Sequence, residues 1–136
     1  MAFEFGFIGC GNMGSALSRA VRSAVSAEKI LLSNRTRSKA EALAGTLGAT
    51  VGTDAEIAEK CRYIFLCVKP QMMENMLCDI KDVLAGRKDR FILISVAAGL
   101  TMARINELAG GDYPVIRMMP NTPVSVGMGM IQYAAN

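Results

Sequence analysis

Histidine is absent from this chain of 136 residues. No imidazole is therefore available as a general base, as the helper of a serine or cysteine nucleophile, or as a zinc ligand. That excludes Ser-His or Cys-His hydrolase chemistry and histidine-based metal sites within the chain. Long apolar runs are missing too, and none approaches the roughly 18 residues that a membrane span needs. The N-terminus lacks the basic-then-apolar order of a signal peptide, with Glu4 close to its start. Lys and Arg number 15 against 12 Asp and Glu, and this net +3 without a basic cluster gives nucleic acid no foothold. Cys10, Cys61, Cys67 and Cys78 contain no C-x-x-C pair and read as reduced packing cysteines. With 51% hydrophobic and 20% charged residues, the chain is no disordered polymer. The expectation is one small cytoplasmic domain over residues 1–136, with no metal, membrane or nucleic-acid partner.

What is present is concentrated at the start. Phe5-Gly6-Phe7-Ile8 is an apolar strand that runs into Gly9-Cys10-Gly11-Asn12-Met13-Gly14, and a helix-forming stretch follows at once. Strand, Gly-x-Gly-x-x-Gly and helix in that order form a dinucleotide-binding fingerprint. Gly9 permits the tight turn, Gly11 removes the Cβ that would block a pyrophosphate, and Gly14 lets helix and strand pack closely. A helix starting near Asn12 and Met13 aims free N–H groups and its positive end at the anion.

Apolar β-rich runs then alternate with helical stretches to the end of the chain. The pattern predicts strands over Phe3–Ile8, Ile30–Ser33, Ala49–Val51, Tyr63–Val68, Phe91–Val96, Val115–Met119 and Met128–Tyr133. Helices are expected over Asn12–Val25, from a Ser38 cap to Leu47, over Ala55–Lys60 with Thr53 and Asp54 as caps and Glu56 placed for a capping box, after Pro70 through Leu84, and from a Thr101 cap to Leu108. Such alternation defines the α/β class: a Rossmann-type, doubly wound and mostly parallel sheet with helices on both faces. Met72, Met73 and Met76 fall at helical spacing and read as core filling rather than as a flexible binding surface.

The residue about 20 positions beyond the glycine loop reads the adenosine ribose in such folds, and a carboxylate there selects NAD. Here the segment is Ser33-Asn34-Arg35-Thr36-Arg37, with Lys39 following and no carboxylate. Arg35 can fork two donors onto a phosphate, and Ser33 and Thr36 can add neutral ones, which suits the 2′-phosphate of NADP. Read in isolation, the same residues are a solvated basic turn. Three later strand ends carry special residues: Val68-Lys69-Pro70-Gln71, Ser95-Val96-Ala97-Ala98-Gly99 and Met119-Pro120-Asn121-Thr122-Pro123. Because ligands lie outside the carboxyl ends of strands in open parallel sheets, all three are expected to line the nicotinamide crevice. Pro120, Asn121 and Thr122 are the candidates for the substrate side. Lys69 is the obvious proton-donor candidate, but nothing in the sequence marks it as tuned for acid work. It reads as a structural or cofactor-facing charge, and no catalytic residue is assigned.

Together these segments resemble pyrroline-5-carboxylate reductase, the family of the last step of proline biosynthesis. The matching stretches are Gly6–Leu17 (GFIGCGNMGSAL), Ser33–Thr36 (SNRT), Val68–Gln71 (VKPQ), Ser95–Thr101 (SVAAGLT) and Arg117–Pro123 (RMMPNTP), in the family's order. The resemblance implies NAD(P)H-dependent reduction of the cyclic imine 1-pyrroline-5-carboxylate to L-proline, with NADPH preferred over NADH. It implies cofactor contacts at Gly9, Cys10, Gly11, Asn12, Met13 and Gly14, at Ser33, Asn34, Arg35 and Thr36, at Val68, Lys69 and Pro70, and at Ala97 and Ala98. Asp54 matches a position near the adenine and would serve equally as a helix cap. Family members are homo-oligomers through an all-helical domain that also supplies the hydroxyl proposed to assist imine protonation. This chain ends at Asn136 without that domain, so the expectation is NADPH binding with little or no turnover. Two other readings stay open: another NADP-linked reductase such as a β-hydroxyacid dehydrogenase relative, and a non-catalytic NADP-binding sensor or interaction module.

Overall fold

The structure, a computed structural model, describes residues 3–97, 99–120 and 131–135. Its elements run β1 (Phe5–Ile8), α1 (Asn12–Arg22), a 3-10 turn (Ala27–Lys29), β2 (Ile30–Ser33), α2 (Arg37–Leu47), β3 (Thr50–Val51), α3 (Asp54–Lys60), β4 (Tyr63–Leu66), α4 (Pro70–Ala85), β5 (Ile92–Ser95), α5 (Met102–Ala109), β6 (Val115–Pro120) and β7 (Ile131–Ala135). The strands form one sheet in the order β3-β2-β1-β4-β5-β6-β7. Pairing is parallel from β3 to β6, and β7 closes the edge antiparallel to β6. The chain runs outward from β1 in both directions, so the strand order reverses between β1 and β4. Ligands enter open α/β sheets at such a reversal.

Strand side chains alternate between two cores. Ile8, Ile64, Leu66 and Leu93 face Ile57, Leu77, Ile80 and Ile105 of α3, α4 and α5. Phe7, Ile30, Leu32, Phe65 and Ile94 share the other side with Leu17 of α1 and Leu43 of α2. The Phe7 and Phe65 rings stack at 4.4 Å across the β1–β4 pair. Each such side chain contributes about 1.5–3 kcal/mol on full burial, and the sheet, covered on both faces, needs no polar alternation. Toward the β6 edge of the second side, Ile92, Val96, Ile116 and Met118 are only partly buried.

Most element ends follow local chemistry. Thr53 and Glu56 form the expected capping box of α3, Pro70 occupies the first turn of α4, and Thr101 caps α5. Several boundaries differ from expectation by one to three residues, among them the start of β1 at Phe5 and the end of β4 at Leu66. Helix α1 stops at Arg22 rather than Val25, and the Arg22 guanidinium there donates to the carbonyls of Val25 (3.1 Å) and Leu47 (3.0 Å). Helix α2 begins at Arg37 with Thr36 at its cap position, so Ser38 lies in the first turn and caps nothing. Strand β7 is described over Ile131–Ala135 and runs two residues past the expected end at Tyr133, while residues 128–130 lie outside the described residues. Met73 and Met76 are core residues as expected, whereas Met72 faces a surface cleft.

At the opposite edge of the sheet from the glycine loop, Arg87 ties three elements together. Its side chain is 5% exposed. Nη1 donates to the carbonyls of Ala58 (3.0 Å) and Cys61 (2.5 Å), which helix α3 leaves unpaired at its end. Nε and Nη2 fork onto the Asp89 carboxylate at 2.9 and 2.6 Å, and the guanidinium lies 4.7 Å from the Phe91 ring centre. Arg87→Ala is expected to lower stability by about 2–4 kcal/mol, because buried carbonyls lose their donor. Urea denaturation should show the lower midpoint with an unchanged slope. The hydrogen bond from Arg87 holds the Asp89 carboxyl below its ordinary value of 3.8. Asp89 therefore adds stability above that pH, and the contribution is lost as pH falls below it, through the lower folded-state value. Asp89→Asn should flatten this acid limb in a pH series of denaturation midpoints.

Candidate functional site

The loop between β1 and α1 is built by close backbone approach. Gly9 has φ +106°, a left-handed conformation that glycine adopts without strain, and a Cβ there would lie 2.8 Å from the Cys67 carbonyl carbon and oxygen. A Cβ on Gly14 would overlap the Gly9 carbonyl oxygen and sit 3.2 Å from Cys67 Cβ. Beside Gly11 there is nothing within 4 Å, so its missing side chain leaves open space. The start of α1 borders this space, and its first N–H groups have no carbonyl in a preceding turn.

Hydrogen bonds then tie the loop to the end of β2. Gly9 N–H donates to the Ser33 carbonyl at 2.8 Å, and Cys10 N–H donates to Asn34 Oδ1 at 2.8 Å. Asn34 Nδ2 in turn donates to the Thr36 carbonyl at 2.9 Å. Asn34 is thus a bridge between the glycine loop and the β2–α2 turn. Its side chain is engaged within the protein, a role that sequence reasoning missed and that only the asparagine preference for such turns could have flagged.

Ser33 brings the larger correction. No carboxylate was expected at the second strand end, and the segment itself has none. The fold carries one in from elsewhere: Asp54, at the start of α3, accepts from Ser33 Oγ at 2.5 Å. Ser33 is buried at 4% exposure, and its hydroxyl proton is committed to Asp54 rather than held for a phosphate. The parallel β2–β3 pairing places the strand end Val51 beside Leu32, which sets Asp54 against Ser33 across 21 residues of sequence. No local pattern carries that juxtaposition.

A cleft of about 660 Å³ opens here. It is bounded by Gly9, by Ser33, Asn34, Arg35 and Arg37, by Gly52, Thr53 and Asp54, by Val68, and by Met72, Asn75, Met76, Cys78 and Asp79 of α4. Of the candidate residues, Gly9, Ser33, Asn34, Arg35, Asp54 and Val68 share this lining. Lys69 sits exposed at the cap position of α4, Pro70 opens that helix, and Ala97 is buried just beyond β5, all outside the lining. Pro120 ends β6, while Ala98, Asn121 and Thr122 lie outside the described residues. Arg35 is exposed, and its Nη1 lies 3.9 Å from Met72 sulfur. Arg37 pairs with Glu41 at 3.5 Å.

Burial raises three of the thiols above their ordinary range, Cys10 and Cys67 beside the loop and Cys61 at the end of α3. Burial, aided by Asp54, pushes Cys10 up to about 11. Burial lifts Cys61 to about 12 against the opposing charges of Arg87 and Lys60, and burial followed by Cys10 raises Cys67 further. A disulfide reagent at pH 8 should modify exposed Cys78 quickly and buried Cys10 and Cys61 only upon unfolding, with half-buried Cys67 slower than Cys78. The raised values also stabilise the fold fully below the ordinary thiol value of 9.0. That stabilisation is lost as pH rises through the folded values of about 11 and 12, because the unfolded thiols ionise first.

A parallel sheet with its order reversed at β1, a glycine loop opening a helix there and a cleft beside the second strand end define a Rossmann-type dinucleotide-binding domain. Residues 4–99 match the family described as NADP oxidoreductase coenzyme F420-dependent, and the chain belongs to that family. The chain is 35% identical to pyrroline-5-carboxylate reductase of Escherichia coli, over 100% of its own length and 51% of that protein. Among solved structures, pyrroline-5-carboxylate reductase of Coxiella burnetii superposes with a TM-score of 0.87 at 28% identity, covering 100% of this chain and 50% of that one. Pyrroline carboxylate reductase of Plasmodium falciparum, solved with NADP bound, gives 0.82 at 29% identity over 98% and 48%. The chain thus spans about half the length of the relatives it matches. Among the described residues, no helix is long and apolar enough to cross a membrane, and no group of three acidic or cysteine side chains is placed to hold a metal.

Proposed function

We propose that this chain is the cofactor-binding part of a pyrroline-5-carboxylate reductase that uses a nicotinamide dinucleotide, NADPH in preference to NADH. The observation that carries the reading is the cleft itself, which joins the glycine loop to Arg35 at the end of β2. The open space beside Gly11 fits a pyrophosphate, whose charge the N–H groups and dipole of α1 would bind through Asn12, Met13 and Gly14. Cys10 contributes backbone rather than thiol chemistry. Arg35, exposed at the cleft, would take the 2′-phosphate, with Thr36 beside it. Val68, Lys69 and Pro70, together with Ala97 and Ala98, would flank the nicotinamide at the carboxyl ends of β4 and β5.

When bound, the reduced nicotinamide supplies hydride to the carbon of the substrate C=N bond. The protein's part is to position the cofactor, hold the imine against it and exclude water. Pro120 ends β6 at the same carboxyl edge as the glycine loop, and in this reading it stands on the substrate side together with Asn121 and Thr122, which follow it in the sequence. We also propose that residues 1–136 form one dinucleotide-binding domain. A helical dimerisation domain, outside this sequence, would complete the substrate site and supply the proton-assisting hydroxyl. The partly buried Ile92, Val96, Ile116 and Met118 support this, because they leave apolar surface for a further element to cover.

Calorimetric titration of NADPH and NADH into this chain and into Arg35→Ala tests the proposal. Loss of a charge-assisted phosphate contact should weaken NADPH binding about tenfold and leave NADH within about twofold. Equal losses for both cofactors would remove Arg35 from the 2′ site. Failure of either cofactor to bind the unaltered chain would overturn the cofactor assignment.

A further inference from the structure

Ser33 and Asp54 give the cleft a second charge character that the basic turn alone does not. We propose that Asp54 is a specificity-determining residue of the cofactor site: its carboxylate, joined to Ser33, opposes a 2′-phosphate and keeps the site open to a 2′-hydroxyl. This inference rests on the dinucleotide reading above and extends it.

The argument begins with protons. An ionised carboxylate only accepts, and a serine hydroxyl has one proton to give. At 2.5 Å from Asp54 Oδ1, that proton is committed. Ser33 Oγ therefore offers only lone pairs to anything else in the cleft. A ribose 2′-hydroxyl can donate to such an oxygen, whereas a 2′-phosphate is repelled by it and by the carboxylate behind it. Ser33 closes β2, where dinucleotide folds carry the acid that reads the ribose. Asp54 delivers the charge of that missing acid to the same place through one hydrogen bond.

The charge is felt across the site. Asp54 is the second cause, after burial, of the raised Cys10 thiol, so its field reaches the glycine loop. Arg35 opposes it from the exposed rim, and Asp79 lines the same cleft from α4. No ion pair joins Asp54 to Arg35 or Arg37 among the described residues, and Arg37 is already paired with Glu41. Cofactor choice is then a contest between an arginine that attracts phosphate and a Ser33–Asp54 pair that favours hydroxyl.

Asp54→Asn separates the two. Asparagine keeps the size and a hydrogen bond to Ser33, yet it removes the charge and can donate, freeing the serine proton for a phosphate. Calorimetry should show NADPH binding tightened and NADH weakened, raising the ratio of NADH to NADPH dissociation constants by about tenfold. Should this variant melt with a lowered transition, Asp54→Ser removes the charge and retains a good helix-start residue, and the same rise in ratio is expected. An unchanged ratio in a folded variant overturns the proposal. So does parallel weakening of both cofactors, which would make Asp54 a contact common to the two. Absence of binding by the unaltered chain would instead sink the dinucleotide reading, and this proposal with it.

Discussion

The close approach of three backbone segments at Gly9, Gly14 and Cys67 is the constraint on which the rest of the molecule depends. The first turn of α1 rests against the end of β1, and the end of β1 rests against the residue that follows β4. No side chain fits between them, since a Cβ at Gly9 or Gly14 would overlap a neighbouring carbonyl. This contact aims α1 across the sheet and fixes the point where the strand order reverses. The loop also lies within hydrogen-bonding reach of Ser33 and Asn34. A displacement of about 1 Å here would open the core beneath the loop and shift the free N–H groups at the start of α1.

From that contact, two kinds of stabilisation divide the sheet. The carboxyl edge is held by small residues and backbone hydrogen bonds, which leave a cleft. The opposite edge is held by larger groups, with Arg87 buried between the end of α3, Asp89 and Phe91. Such a division suits a binding protein. The edge that must admit a ligand carries few bulky contacts, and rigidity is supplied from the edge that need not open.

The cleft is more balanced in charge than its basic turn implies. Arg35 is exposed, yet the buried Ser33 hydroxyl in the same lining is bonded to half-buried Asp54. The site is then best understood as an electrostatic compromise, with the more solvated charge positive and the better shielded one negative. A single carboxylate can therefore influence ligand choice against two nearby guanidiniums, especially as Arg37 is engaged with Glu41.

Much of this protein was legible in the amino-acid order because the relevant physics is local. The alternation of apolar runs with helical spacing, the Thr53–Glu56 capping box, the Thr101 cap and the Gly9–Gly14 loop depend on neighbours a few residues apart. They yielded the parallel α/β class, nearly every element and the location of the site. What failed also has a local explanation. Ser38 has the chemistry of a cap but lies inside the helix, since Asn34 had already bent the chain at Thr36. Helix α1 ends three residues early, and Arg22 at its end reaches acceptors in Val25 and in distant Leu47. Only the tertiary structure could decide that Asp54 meets Ser33, that Asn34 binds Cys10 and that Arg87 caps α3. Each pairs groups more than 20 residues apart through strand register or helix packing, and such contacts leave no periodic trace in a sequence.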